Sequence, residues 1–167
     1  MSKEFKHALV VGKFAPLHLG HKYLIDTALE NADKVLVAHY GAEEYGISSF
    51  DVFDKLVEIY GEGNEGRLVI ICRPIHCEGL TSHSSEFEHR LGLANMIEGC
   101  KSVYEGFTDI DSVFSSETYG EPFAAFLSGY FRKEITHQMV DLDRVKYPVS
   151  ATKIRNGELE RSVWALM

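Results

Sequence analysis

Long hydrophobic runs are missing from this 167-residue sequence. No apolar stretch approaches the ~20 residues that a membrane-spanning helix needs. A charged-then-apolar leader is missing at the N-terminus as well. The cytoplasm is therefore the expected location. A basic excess is also missing: 17 Lys and Arg stand against 25 Asp and Glu, for a formal net charge of −8. That balance argues against a broad nucleic-acid-binding face. Cysteine is scarce and odd in number. Cys72, Cys77 and Cys100 form no Cys-x-x-Cys and cannot all pair, so free thiols in a reducing compartment are expected. Cys72, His76, Cys77, His83 and His89 gather metal-capable side chains, but their spacing matches no zinc pattern. Cys72 is expected in a buried strand and the others along a loop. Linkers, repeats and low-complexity tracts are missing too. A single domain over residues 1–167, long enough to bury a sizeable core, is the expectation.

What is present is an alternation of strand-like and helix-like segments. Strands are expected at Leu9–Val11, Lys34–His39, Leu68–Cys72, Ser112–Ser115 and His137–Val140. Helices are expected over Tyr23–Ala32, 50–60 (with Ser49 or Asp51 near its cap), 85–98 and Glu121–Phe131, the last with an aromatic face. A short helix should run from a Ser150 cap to about Asn156. Such alternation implies an α/β fold with a parallel sheet and right-handed crossovers. The sole tryptophan, Trp164, is expected to pack against that sheet. Gly61-Glu62-Gly63-Asn64-Glu65-Gly66 satisfies Gly-x-Gly-x-x-Gly literally. It follows a helix and precedes a strand, the reverse of the dinucleotide fingerprint, and is expected to be a flexible turn.

The chemistry concentrates in Gly12-Lys13-Phe14-Ala15-Pro16-Leu17-His18-Leu19-Gly20-His21. This stretch joins the first strand to the first helix. In an open α/β sheet that is the crevice where ligands bind. The helix N-terminus should offer free N–H groups and the positive end of a dipole to a phosphate. Gly20 allows close approach. His18 and His21 can donate to phosphate oxygens and carry charge as it develops there. Lys13 adds a mobile cation at the mouth. Pro16 disfavours helix at Ala15. A second cluster lies at Val149-Ser150-Ala151-Thr152-Lys153-Ile154-Arg155, where Ser150 caps a helix and Thr152 lies in its first turn. Arg155 can swing over that end as a fork for phosphate oxygens. Lys13, His18, His21, Lys153 and Arg155 can make a locally positive patch within an acidic protein.

Gly-Lys-Phe-x-Pro-x-His-x-Gly-His at 12–21 resembles the first signature of the nucleotidyltransferase superfamily with the HxGH motif. Ser150-Ala151-Thr152-Lys153-Ile154-Arg155 resembles its second, with Ala151 where Gly is commoner. Val140-Asp141-Leu142-Asp143-Arg144, Tyr147-Pro148 and Phe114-Ser115-Ser116-Glu117-Thr118-Tyr119-Gly120 are similar to stretches of nicotinamide mononucleotide adenylyltransferases of the bifunctional bacterial NAD-regulator type. The likeness covers 7–40 and 112–160 and leaves 41–111 unmatched. No P-loop occurs, so the kinase half of those relatives, and their DNA-binding region, are not expected.

The resemblance implies a Rossmann-like fold and transfer of AMP from ATP to nicotinamide mononucleotide, releasing pyrophosphate, with Mg²⁺ on the phosphates. It implies His18, His21, Lys13 and Arg155 as catalytic residues, and Gly12, Phe14, Gly20, Ser150 and Thr152 as nucleotide-binding ones. Tyr40, Tyr45, Tyr104, Phe107 and Tyr119 are candidate partners for a flat, cationic pyridine ring. Alternatives are a relative acting on phosphopantetheine or glycerol-3-phosphate, or a nucleotide-binding module without turnover. The aromatic face of 121–131 could serve a homo-oligomer or simply the core.

Overall fold

The computed structural model describes residues 3–73, 80–81 and 83–167. Five strands form one sheet: β1 (Phe5–Gly12), β2 (Ala32–Tyr40), β3 (Leu68–Arg73), β4 (Ser112–Ser115) and β5 (Thr136–Met139). Its order is β3-β2-β1-β4-β5 and every pairing is parallel. The fold is thus α/β and Rossmann-like. The chain passes from β1 outward to β3, then returns to place β4 on the other side of β1. That reversal opens a crevice at the carboxyl ends of β1 and β4.

Burial on both faces explains why the central strands read as unbroken apolar runs. Ala8, Val10, Val35 and Val37 point into one core with Leu24, Ile25 and Ala28 of α1 (Leu19–Asn31) and Val52 and Leu56 of α2 (Ser49–Tyr60). Leu9, Val11, Leu36 and Ala38 point the other way. There they meet Leu93 and Ile97 of α3 (Glu86–Gly99) and Phe123 and Leu127 of α4 (Gly120–Phe131). Each fully buried aliphatic side chain of this kind contributes about 1.5–3 kcal/mol. Two short helices follow, α5 (Ala151–Arg155) and α6 (Arg161–Trp164).

Several expected boundaries move. The first helix starts at Leu19 rather than Tyr23, and Ala32 belongs to β2. The cap of α2 is Ser48, whose side chain accepts from the Phe50 N–H. A 3₁₀ turn at Ala42–Tyr45 and α6 lack the apolar periodicity that reveals longer helices. The glycine-rich 61–66 segment does run from α2 towards β3. His89 sits on α3 rather than in a loop, and Cys72 is half-buried on β3, with its Sγ donating to the Ser49 carbonyl at 3.4 Å. His76 and Cys77 of the metal-capable cluster lie outside the described residues. Trp164 is half-buried, and the segment after it docks on the first motif: the Leu166 N–H donates to the Leu17 carbonyl at 2.8 Å.

Two glycines of α4 should respond oppositely to a methyl group. A Cβ at Gly120 would lie 2.1 Å from both His137 Nε2 and Ser115 Oγ, which are hydrogen-bonded to each other at 2.7 Å. A Cβ at exposed Gly129 would meet nothing within 4 Å. Gly120→Ala is expected to cost roughly 1–3 kcal/mol of stability. Gly129→Ala should add up to about 1 kcal/mol. Urea unfolding of both variants reads out the contrast.

Candidate active site

The chain leaves the sheet after Gly12 through a tightly packed turn. Phe14 adopts a left-handed backbone (φ 49°), unusual for a bulky residue. A Cβ on residue 12 would come within 2.4 Å of the Phe14 ring, so glycine is required there. The buried ring stacks on His39 (5.7 Å between centroids, 22°) and meets His21 edge-on at 4.9 Å. A cis Ala15–Pro16 bond then leads to His18, the N-cap of α1.

The two histidines of the first motif cap the helix reciprocally. His18 Nδ1 accepts from the N–H groups of Gly20 (3.1 Å) and His21 (3.3 Å). His21 Nδ1 accepts from the His18 N–H at 3.2 Å. A ring nitrogen that accepts from an N–H carries no proton, so each neutral ring holds its proton on Nε2. The rings stack with centroids 3.5 Å apart and 20° between planes. A Cβ on Gly20 would lie 2.9 Å from His18 Cε1 and 3.3 Å from Val149 Cγ1, so glycine lets the pair and the second motif close together. This cap is why the helix begins at Leu19. It also corrects the expectation of free N–H groups at the helix start: those of Gly20 and His21 are already taken.

Electrostatics fix the same state. Burial, with the Arg144 charge adding to it, pushes the His18 pKa down to about 4. Burial pushes His21 well below its ordinary 6.5, and His18, Arg144 and His39 add to the effect. Both rings are therefore neutral donors at neutral pH, rather than the charge carriers expected from the sequence.

The second motif comes to meet the first. Arg155 donates through Nη1 to the Ala15 carbonyl (2.6 Å) and through Nη2 to Thr152 Oγ1 (3.3 Å). Its guanidinium lies 3.8 Å from the centre of the Tyr45 ring. Lys13 Nζ pairs with Glu44 at 2.7 Å and faces the same ring at 5.4 Å. Burial opposes the Lys13 charge, but the ion pair outweighs it and the pKa is raised. Ser150 does cap α5, accepting from the Lys153 N–H at 3.2 Å. Ser150 and Thr152 are not among the residues lining the cleft, whereas Gly12, Lys13, Phe14, His18, Gly20, His21 and Arg155 are.

That cleft measures about 1000 Å³, open mouth included. Sequence reasoning gave Arg144 no role, yet it forms one wall. Its Nη1 donates to the Val149 carbonyl (2.7 Å) and its Nη2 to Glu117 (2.6 Å). It is aimed there by a turn whose Asp141 carboxylate accepts the N–H groups of Val145, Lys146 and Tyr147. Left-handed Asp141 and Arg144 allow that turn. Tyr45 was a candidate ring partner only; here it is wedged between Lys13 and Arg155. A second cleft adjoins the first through Val11, Lys13, Tyr40 and Tyr119, and continues to Glu86, His89, Arg90, Leu93 and Phe123.

Among the described residues no three His, Cys, Asp or Glu side chains converge as a metal site. The two carboxylates lining the cleft are occupied, Asp141 by backbone and Glu117 by Arg144. No helix among the described residues is long and apolar enough to cross a membrane.

No protein-family model matches the sequence, and no curated protein matches it. Solved structures do. A NadR protein in complex with NAD and AMP-PNP superposes with a TM-score of 0.63 at 18% identity, over 98% of this chain and 45% of that one. A bifunctional NMN adenylyltransferase/ADP-ribose pyrophosphatase from Francisella tularensis, complexed with AMP and a Mn ion, gives 0.61 at 14% identity, over 98% and 45%. A Vibrio parahaemolyticus protein described as a nicotinate-nucleotide adenylyltransferase gives 0.54 at 14% identity, over 96% and 93%. The chain thus spans less than half the length of the first two. The shared fold is α/β and Rossmann-like.

The depressed histidines make stability depend on pH. An unfolded chain binds protons on His18 and His21 below about 6.5, while the folded protein resists doing so. Their contribution is complete above that pH and is lost as pH falls towards 4. For His18 alone the loss is on the order of 3 kcal/mol. Denaturant unfolding at pH 7.5 and pH 4.5 should show the midpoint falling; His18→Asn, which keeps a cap acceptor without the titration, should flatten that fall.

Proposed function

We propose that this chain is a nucleotidyltransferase that moves AMP from ATP to a pyridine mononucleotide, nicotinamide mononucleotide being the preferred acceptor. The observation that carries this reading is the pair of neutral imidazoles. They stack at the topological switch point, their Nδ1 atoms consumed by the helix cap and only their Nε2–H groups left to donate. Lys13, Arg144 and Arg155 surround them. Such a site is built to receive phosphate oxygens.

In the proposed reaction a phosphate oxygen of the acceptor attacks the α-phosphorus of ATP in line, and the bond to the bridging oxygen breaks to release pyrophosphate. No covalent nucleophile is needed; positioning and charge stabilisation carry the chemistry. His18 and His21 donate to the phosphate oxygens on which charge grows. Lys13 and Arg155 hold the departing pyrophosphate, with Ser150 and Thr152 orienting Arg155 and its helix. A polyanion entering the cleft competes with Glu44 and Glu117 for Lys13 and Arg144. Mg²⁺, as part of the Mg²⁺-ATP substrate, would supply charge neutralisation on the phosphates, since no three metal-ligating side chains converge among the described residues. The divalent ion of the Francisella neighbour accords with this. The AMP-PNP of the NadR complex is an ATP analogue and its NAD corresponds to the proposed product, so both accord with this reaction.

The second cleft suits the acceptor. Of the five aromatic candidates, Tyr40 and Tyr119 line both clefts, Tyr45 lines the first alone, and Tyr104 and Phe107 line neither. A cationic pyridine ring is attracted to a tyrosine face.

Pyrophosphate release with Mg²⁺-ATP should be seen with nicotinamide mononucleotide, weaker with nicotinate mononucleotide, and absent with phosphopantetheine or no acceptor. CTP with glycerol-3-phosphate should give none. His21→Ala should lower kcat at least about a hundredfold with an unchanged circular dichroism spectrum. Near-normal turnover in that variant would remove the mechanism; silence with every acceptor would remove the proposed reaction.

A further inference from the structure

His39 is fully buried at the end of β2, opposite Gly12 in the parallel register. None of the roles assigned above uses it. Its Nδ1 lies 3.2 Å from the Gly12 carbonyl. A carbonyl only accepts, so Nδ1 carries the proton and the neutral ring leaves Nε2 bare. Nε2 makes no hydrogen bond of good geometry among the described residues, although the Ser49 backbone and the Glu43 carboxylate are near the ring. An unpaired buried acceptor is destabilising, so an apolar side chain would suit this position better if packing were its only task.

The ring's surroundings supply that task. One face of His39 lies nearly parallel to the Phe14 ring. Phe14 fills the space where a residue-12 Cβ would stand, and meets His21 edge-on. A continuous contact thus runs from the Gly12 carbonyl through His39 and Phe14 to His21, whose Nδ1 closes the cap on α1. Burial lowers the His39 pKa despite the Gly12 bond, the Glu43 charge and the Ser49 backbone, which favours the neutral ring.

We infer that His39 is a positioning residue for His21: its bond to Gly12 and its stack on Phe14 set the ring plane with which His21, its tautomer fixed by the cap, faces the cleft. The inference rests on the function proposed above for its kinetic consequence, but not for its structural one. Removal of His39 frees Phe14 to shift into the space, and the aim of the His21 Nε2–H changes while the binding cations stay.

Two readouts test this on the full chain. In long-range ¹H–¹⁵N spectra the wild-type His21 should be a single Nε2–H tautomer. His39→Leu should shift its ring nitrogen signals, and His39→Asn, which keeps an amide donor near the Nδ1 position, should restore them in large part. In the pyrophosphate assay His39→Leu should lower kcat roughly tenfold to a hundredfold with little change in the KM for ATP, and His39→Asn should recover most of it. Should His39→Leu fail to fold, Phe14→Leu, which removes the link between the two histidines, must disturb the His21 signals in the same way. Unchanged His21 signals in a folded His39→Leu or Phe14→Leu variant overturn the inference. Shifted signals in a protein that turns over none of the acceptors support it, and overturn the proposed reaction instead.

Discussion

The reciprocal cap on α1 governs the rest of the site. A helix start needs acceptors for its first N–H groups. Here the acceptors are the Nδ1 atoms of His18 and His21, so one set of hydrogen bonds both begins the helix and chooses the tautomer of each ring. The same bonds force the rings into a stack 3.5 Å apart, a spacing that two charged imidazoles would resist. Neutrality, orientation and helix geometry are therefore one constraint. Gly20 is the residue that lets the stack and the second motif occupy adjoining space.

The sheet places this cap where it can act. β1 carries its apolar residues into two cores at once, which fixes the level at which the chain leaves the sheet. The reversal of strand order puts the ends of β1 and β4 side by side, and the turn after β5 brings Arg144 against them. The protein is acidic overall, yet this crevice concentrates Lys13, Arg144 and Arg155. Two of those cations are held by carboxylates, Lys13 by Glu44 and Arg144 by Glu117, and the third lies against Tyr45. Each contact is one that phosphate oxygens can replace.

The sheet and the first motif were legible because their signals are local. Ala8–Val11 is an apolar run, and His-x-Gly-His follows it directly. The start of α1 was misjudged because histidine is not among the usual capping residues, and its pairing with His21 depends on ring geometry that spacing does not express. The charge state was misjudged for a related reason: burial and the neighbouring Arg144 decide it, and Arg144 arrives from over a hundred residues away. Arg144 itself was hidden by a turn in which Asp141 and Arg144 take positive φ, a conformation invisible in their residue types. The second cleft draws on β2, α3 and α4 together, so no contiguous stretch announces it. Arg155 was easier, because Ser150 marks a helix start and fixes where the guanidinium stands.

Two neutral imidazoles presenting Nε2–H to nucleotide phosphates are the core of the proposed chemistry. Ring-nitrogen spectra of His18 and His21 at neutral pH, recorded without and with a non-hydrolysable Mg²⁺-ATP analogue, test it most directly. Both rings are expected as Nε2–H tautomers in the free protein, with both Nε2 resonances displaced on binding and Nδ1 unmoved. Nδ1–H or doubly protonated rings in the free protein, or Nε2 resonances indifferent to a bound nucleotide, would contradict it.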